Sequence, residues 1–204
     1  LEEPWERTLF ILVSERPDRL LPTILSRTQE VAVPRIAPAV LERAALDSGV
    51  TDPVQARSMA RLAGGSLLEL QHLAAGENDA LRHENFGLFC SLMRLSYNDK
   101  HLELVAWAEE AAQFSREQQR AFLLDAARLL RESFMLHAAI PEVGYLWGEE
   151  LAFCSKFAPF VDSRNIEPLI AQIESASAQL SQNGNPTIVF THFALAVSKL
   201  IKHL

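Results

Sequence analysis

The residue best suited to take part in binding or catalysis is Arg27, which lies between Ser26 and Thr28 near the end of the stretch LLPTILSRTQ. Its guanidinium group is planar, permanently charged and able to form paired hydrogen bonds with a phosphate or a carboxylate. An arginine on a surface turn ordinarily does no more than stay solvated, so both interpretations are open at this point. The basic chemistry of this segment is guanidinium chemistry, because the first lysine of the chain is Lys100 and residues 1–35 contain five arginines: Arg7, Arg16, Arg19, Arg27 and Arg35.

Residue spacing elsewhere gives little support for a metal site or a covalent catalyst. His83-Glu84 resembles the start of an HExxH zinc motif, but Gly87 occupies the position of the second histidine. Cys90 and Cys154 have no CxxC partner and lie in apolar, helix-like stretches, so we expect buried, reduced thiols and a cytoplasmic location. Since no phosphate-binding, Rossmann or nucleophile-elbow motif occurs, we expect no self-contained active site and no cofactor bound by this chain alone.

Charge and aromatic content argue against a free-standing nucleic-acid binder. The net charge is -7 and the pI is near 5.4, whereas neutralising phosphates requires an excess of Lys and Arg. Trp107 and Trp147 are interpreted as packing residues rather than as a base-stacking platform. Adjacent residues on a helix point in different directions, so we interpret three acidic pairs as solvated faces: Glu2-Glu3, Glu109-Glu110 and Glu149-Glu150.

The elements around Arg27 are predicted to be a strand, a turn and a short helix. Residues 8–14, TLFILVS, form an apolar, β-rich run that is followed by turn residues. Pro22 suits the first turn of a helix that extends to Arg27, which would then project from the edge of a sheet. The second strand candidate is QEVAVP at 29–34, and since two strands make a poor sheet, we expect this chain to be a piece of a longer protein.

Residues 35–76 are predicted to form three short helices, the first over 37–47 and the third from Ser66 to about Ala75. The polar stretch at 74–80 is the best linker candidate. Four signals delimit the helices: a stop at Gly49, a start at Asp52-Pro53 with Gln55 as capping-box partner, a stop at Gly64-Gly65 and a cap at Ser66.

Residues 80–204 are predicted to form a bundle of five or six helices, because apolar residues recur along them at the spacing of one buried helix face. Ser115 and Gln118 form a capping box, and Asn185-Pro186 opens the last helix. The expected fold class is therefore mainly α, with a small remnant of an α/β sheet at the N-terminus. Side chains expected to be buried include Phe89, Tyr97, Leu130, Ile170 and Phe193.

The stretch LEEPWERTLFILVSERPDRLLPTILSRTQ resembles a segment of clamp-loader AAA+ modules. In that family the segment runs from a LEEP helix end, through the sensor 1 strand, to a Ser-Arg-Cys motif, where this chain has Ser26-Arg27-Thr28. The family also contains a three-helix lid and a helical collar. The resemblance thus implies three domains: the C-terminal end of an AAA+ core at 1–34, a lid at 35–76 and a collar, or oligomerisation domain, at 80–204.

Within that family the chain is most similar to delta-prime-type subunits of the bacterial DNA polymerase III clamp loader. Subunits of the ATP-hydrolysing gamma type carry an arginine soon after the Gly-Ser of the lid, and here Leu68 stands at that place. The resemblance implies that Arg27 acts catalytically in trans, as an arginine finger on the γ-phosphate of ATP held by a neighbouring subunit. The implied partners are the gamma or tau and delta subunits, with the sliding clamp and primed DNA reached through the complex.

Two other functions remain open at this stage. One is a gamma- or tau-type clamp-loader subunit, and the other is an all-helical adaptor that binds a partner helix in a groove of the bundle. The chain departs from the family pattern at Trp5, where a second proline is common, and at Thr28, where cysteine is usual. No membrane partner is expected, because no run reaches the roughly 18 apolar residues of a membrane span.

Overall fold

A computed structural model describes residues 7–14, 16–76, 79–139 and 146–202, and these are mainly helical, as the sequence predicts. The LEEP motif at the start of the chain lies outside the described residues. The chain divides into two compact units, Leu1–Arg35 and Ile36–Leu204. The first is called here the N-terminal unit and the second the helical unit.

The N-terminal unit contains a 3-10 turn, Pro17–Arg19, and one short helix, α1, Pro22–Leu25. The described residues of the two predicted strands, 8–14 and 29–34, form no strand. A strand is held by hydrogen bonds to a neighbouring strand, and the described residues of this unit provide none. The strands and the sheet remnant predicted from this apolar pattern are therefore not formed among the described residues.

A three-helix group occupies residues 36–76. It consists of α2, Pro38–Asp47, α3, Pro53–Leu62, and α4, Leu67–Ala75. The predicted caps are present in α3 and α4, because the Asp52 side chain accepts from the N–H of Val54 and the Ser66 side chain accepts from the N–H of Glu69. The group has its own buried core: Leu41, Ala45, Ala56, Met59, Ala60, Ala63 and Leu70.

A helical bundle occupies residues 79–202. Its helices are α5, Asp79–Tyr97, α6, His101–Ala112, α7, Arg116–His137, α8, Gly148–Phe157, α9, Ile166–Ser181, and α10, Pro186–Lys202. The predicted capping box opens α7, with the Ser115 hydroxyl accepting from the N–H of Gln118 and the Gln118 side chain accepting from the N–H of Ser115. The N–H of Ile188 donates to the Asn185 side chain at the start of α10, as the Asn-Pro signal predicts.

The bundle core is formed by the apolar stripes that the helical spacing predicts. Phe89, Leu130 and Phe193 are buried, and Ile170 is half-buried and packs against the same core. Tyr97 was expected on the buried face but is exposed, because it ends α5 and its ring packs edge-on against Phe160 near the bundle surface.

Aromatic rings fill the centre of the bundle. The ring of Trp107 lies 5.7 Å from Phe122 and 6.1 Å from Phe190, measured between centroids. Its indole N–H donates to the carbonyl of Leu88 at 3.1 Å, so the polar atom of this buried side chain is satisfied. Trp107 is thus a packing residue, as predicted, and joins α5, α6, α7 and α10.

Candidate functional site

The backbone around Arg27 is fixed by a set of local hydrogen bonds. Pro22 supplies the first position of α1, and Ser26 closes the helix with its N–H bonded to the carbonyl of Pro22. The N–H of Arg27 donates to the carbonyl of Ile24 at 3.1 Å, and the Thr28 hydroxyl donates to the same carbonyl at 2.9 Å. The two hydroxyl residues that flank Arg27 therefore hold the turn rather than pointing to a ligand, since Ser26 also bonds back to the carbonyl of Thr23.

The predicted helix extends to Arg27, but α1 ends at Leu25, so Arg27 lies two residues past the end of the helix, and it is exposed. A long guanidinium side chain on a fixed, exposed turn can reach an anion on another molecule while its backbone stays in place. The described residues bring no histidine, cysteine or carboxylate cluster of the kind that holds a metal ion. The chemistry that this turn can offer is therefore cationic contact with an oxyanion.

An exposed apolar run precedes the Arg27 turn. Residues Leu9 to Val13 are all exposed, with Leu9 82% and Val13 92% accessible. Val31 and Val33, in the second predicted strand, are exposed as well. Proteins seldom leave contiguous apolar residues in water unless they make contact with another surface. The N-terminal unit thus presents both a cationic turn and an apolar contact segment.

Leu68 occupies the first turn of α4 and is exposed. It lies two residues after Ser66, which caps the helix. An apolar side chain at this place can offer no hydrogen bond or charge to a phosphate. The first turn of α4, residues 67–69, carries no cation.

The helical unit contains a polar cluster that the sequence interpretation missed. Arg128 donates two hydrogen bonds of 2.8 Å to the carboxylate of Glu150, and Arg82 lies 3.5 Å from the same group. The expectation that Glu149-Glu150 is a solvated face is wrong for Glu150, whose side chain is 13% exposed, although Glu149 is 77% exposed. Burial acts to lower the pKa of Arg128, but its hydrogen bond and charge interaction with Glu150 outweigh burial and raise that pKa.

The polar cluster continues from Arg128 to Asp125 and Asn85. The amide of Asn85 donates to Asp125 at 2.7 Å, and the Arg128 Nε atom lies 3.5 Å from the Asp125 carboxylate. Positive and negative groups balance in this cluster, and it joins α5, α7 and α8. Such a network is typical of a structural ion pair rather than of an acid or base prepared for catalysis.

A cleft of about 430 Å³ lies beside the polar cluster, between the starts of α5 and α8. Its walls combine charged side chains with two aromatic residues, Phe86 and Trp147. The lining residues are Asp79, Arg82, His83, Phe86, Trp147, Gly148, Glu149 and Glu150.

The two cysteines are buried and unpaired by disulfides, as predicted. Burial raises the pKa of Cys90 to about 12 and that of Cys154 to about 11. At neutral pH both groups are therefore thiols rather than nucleophilic thiolates. Neither cysteine is suited to covalent catalysis.

Within the described part of the chain, each helix is too short or too polar to cross a membrane. No curated protein matches the chain, and no solved structure matches it either. Residues 1–37 match the family model described as DNA polymerase III, delta subunit. That segment contains Arg27 and the exposed apolar run, and its match relates the chain to the DNA polymerase III clamp-loader proteins.

Proposed function

We propose that this chain is part of a delta-prime-type clamp-loader subunit that presents Arg27 to ATP bound by a neighbouring subunit. The observation that carries the proposal is the family match over residues 1–37, which includes the Arg27 turn. The chain needs no nucleotide site of its own for this role. Its cofactor requirement would be met by the neighbour's ATP, and the protein would act in the cytoplasm, where its buried free thiols stay reduced.

The geometry of the Arg27 turn supports a role in trans. Its backbone is held by bonds to the carbonyl of Ile24, so the side chain starts from a defined position, and its exposure leaves it accessible to another subunit. A guanidinium placed against a transferring phosphoryl group stabilises the charge of the transition state and is worth roughly 10³ to 10⁵ in rate in GTPase systems.

The exposed run Leu9 to Val13 fits the same proposal, because it has the sequence of a strand whose neighbouring strands lie elsewhere in the subunit. Its β-branched and aliphatic residues suit a strand, and such a segment becomes ordered when neighbouring strands accept its backbone hydrogen bonds. In the assembled subunit we place this run as a buried strand that leads into the Arg27 turn.

The bundle of residues 79–202 is proposed to make most of the contact with the gamma or tau and delta subunits. Long helices can bury the 1,200–2,000 Å² or so that a stable interface needs, whereas a short loop cannot. Contact with the sliding clamp and primed DNA is then indirect, through the complex. This assignment suits the net charge of -7, which is unfavourable for gripping DNA directly.

A second candidate, the all-helical adaptor, is favoured by one observation. The family match ends at residue 37 and leaves nearly all of the helical unit without a match. An adaptor would bind its partner through the bundle whether or not ATP is present. A gamma- or tau-type subunit is less well supported, because Leu68 replaces the lid arginine that such a subunit would use.

The test is a steady-state ATPase assay on clamp-loader rings rebuilt with the complete subunit carrying Arg27, Arg27→Ala or Arg27→Lys. We expect Arg27→Ala to assemble normally and to lower DNA-stimulated ATP hydrolysis partially, because only the site facing this subunit loses its finger. Arg27→Lys should restore little, since an ammonium group cannot reproduce the paired contacts of the planar fork.

Arg19→Ala is the matched control, because Arg19 is also an exposed arginine of the same unit but lies outside the Ser-Arg-Thr turn. It should leave turnover unchanged. Unchanged ATP turnover in assembled Arg27→Ala rings would contradict the proposal that Arg27 is an arginine finger. Unchanged turnover in those rings, together with ATP-independent binding of a partner by residues 36–204 alone, would favour the adaptor.

A further inference from the structure

Two adjacent residues of the helical unit pack into two different cores. Leu146 is 6% exposed and belongs to the core of the bundle. Trp147 is half-buried and packs against the core of the three-helix group, alongside Ile36, Ala44, Val50 and Leu73. Among the described apolar residues packed against that core, Trp147 alone comes from the bundle side of the chain. The chain therefore links the two cores at this point.

The backbone explains how neighbouring residues reach opposite sides. Trp147 is extended, with φ of -146° and ψ of 169°, and successive side chains of an extended chain point in opposite directions. Gly148 follows with φ of +56° and begins α8 at once. A Cβ atom at Gly148 would meet nothing within 4 Å, so the left-handed backbone rather than crowding favours glycine there.

Arg82 holds the indole ring of Trp147 from the bundle side. Its guanidinium carbon lies 4.8 Å from the ring centroid, within the range of a cation–π contact. The same guanidinium lies 3.5 Å from Glu150, which Arg128 binds through two hydrogen bonds of 2.8 Å. The ring is thus tied through Arg82 to an ion cluster that joins α5, α7 and α8.

We propose that Trp147, held by Arg82, is a latch that sets the orientation of the three-helix group on the bundle, and that releasing it lets the group turn while both cores stay folded. Seven buried residues form the three-helix core, and Trp147 is a partly buried residue packed against them rather than one of the seven. Trp147 and Arg82 both line the cleft of about 430 Å³, so the contact between them borders open space.

The experiment uses pulsed electron paramagnetic resonance on the 204-residue chain to measure the distance between one spin label on the three-helix group and another on the bundle. Val54→Cys in α3 and Leu124→Cys in α7 provide exposed labelling sites. Cys90 and Cys154 can remain, because both are buried and stay protonated at the labelling pH. A second pair within the bundle, Leu102→Cys and Leu124→Cys, provides the control distance.

We expect Trp147→Ala to broaden the Val54–Leu124 distance distribution severalfold and to leave the Leu102–Leu124 distribution unchanged. Arg82→Gln should broaden the first distribution less, because the ring keeps its apolar contacts with the three-helix core. Trp147→Phe, which keeps an aromatic face for Arg82, should stay closest to the parent.

Circular dichroism of each variant separates release from unfolding. An unchanged Val54–Leu124 distribution in folded Trp147→Ala would overturn the latch. Loss of helical signal in Trp147→Ala would mean that folding depends on Trp147, and the decision would then rest on Arg82→Gln. Arg82→Gln, which removes no core atom, keeps the idea testable in that case: a broadened distribution supports the latch and an unchanged one contradicts it.

Discussion

The two units of this chain differ in where their apolar residues lie. In the N-terminal unit, the apolar run Leu9 to Val13 is exposed, and one short helix, α1, is followed by the Arg27 turn. In the helical unit, apolar stripes are buried from α2 to α10. The unit with the weaker internal packing carries most of the family match. The difference shows that the helical unit has apolar cores of its own, whereas the described apolar run of the N-terminal unit is left exposed.

The largest effect expected from this comparison is on the aromatic centre of the bundle. Phe190→Ala should lower the free energy of unfolding by about 3–5 kcal/mol, because a fully buried ring is replaced by a cavity among Trp107, Phe122 and Phe193. Urea denaturation followed by circular dichroism measures it. Leu102→Ala, at an exposed position of α6, is the control and should change little. Similar effects from both substitutions would show that the bundle core is not packed as described.

The next effect concerns the ion cluster. Glu150→Gln should cost about 3 kcal/mol, since it removes the charge that offsets the partly buried Arg82 and Arg128. Glu149→Gln changes the adjacent residue by the same chemistry but at a 77% exposed position, and should cost less than about 0.5 kcal/mol. Equal costs in thermal or urea unfolding would mean that Glu150 is a solvated surface charge after all.

Sequence periodicity was sufficient to predict most of the fold, because a buried helical face repeats within one helix. Phe89, Leu130 and Phe193 follow from spacing alone, and so does the capping box of Ser115 and Gln118. Tyr97 shows where spacing fails, since the stripe continues past the point at which α5 leaves the core. Helix ends are set by contacts between helices, which a one-dimensional pattern does not contain.

The candidate sites divide in the same way. Arg27 could be singled out because its motif is local, and its role as a finger stays a prediction. Glu150 and Trp147 could not be, because their partners lie on other helices and are 22 or more residues away in the chain: Arg82, Arg128 and the core of the three-helix group. The strand predicted at 8–14 failed for a related reason: the pattern identifies a segment that can form a strand, but the hydrogen bonds come from elsewhere.

A smaller, pH-dependent effect is expected from the two thiols of the bundle. Burial raises the pKa of Cys90 to about 12 and of Cys154 to about 11, against 9.0 for a thiol in water. A folded-state pKa above the unfolded value means a contribution to stability that is complete below pH 9 and is lost as the pH rises through 9 towards 11 and 12. At pH 10 the loss should be roughly 1 kcal/mol for each thiol.

Other groups also titrate in this range, so the thiol contribution is measured by difference. The fall in the free energy of unfolding between pH 8 and pH 10 should be smaller for Cys90→Ala and Cys154→Ala than for the parent chain. Equal falls in parent and variants would show that the thiols are accessible to water, and rapid reaction of the native protein with a thiol reagent at pH 8 would show the same.

The smallest effect on stability is expected in the apolar run of the N-terminal unit, and it tests directly whether that run differs from the buried core of the bundle. Ile11→Ser should change the free energy of unfolding, measured by urea denaturation, by less than about 0.5 kcal/mol, because the Ile11 side chain is 77% exposed. Ile173→Ser is the matched control, since it makes the same change at a residue that is 5% exposed in the bundle core, and it should cost several times more.

Ile11→Ser should instead change behaviour between molecules. If the run from Leu9 to Val13 binds other apolar surfaces, the parent chain should self-associate at high concentration, and the serine variant should do so less. Sedimentation velocity at rising concentration measures this directly.

In rings rebuilt with the complete subunit, where we place the run in a sheet, the same substitution should also lower the subunit's own stability. A variant that is neutral in both settings would leave the apolar run without a contact role and would remove the main contrast between the two units.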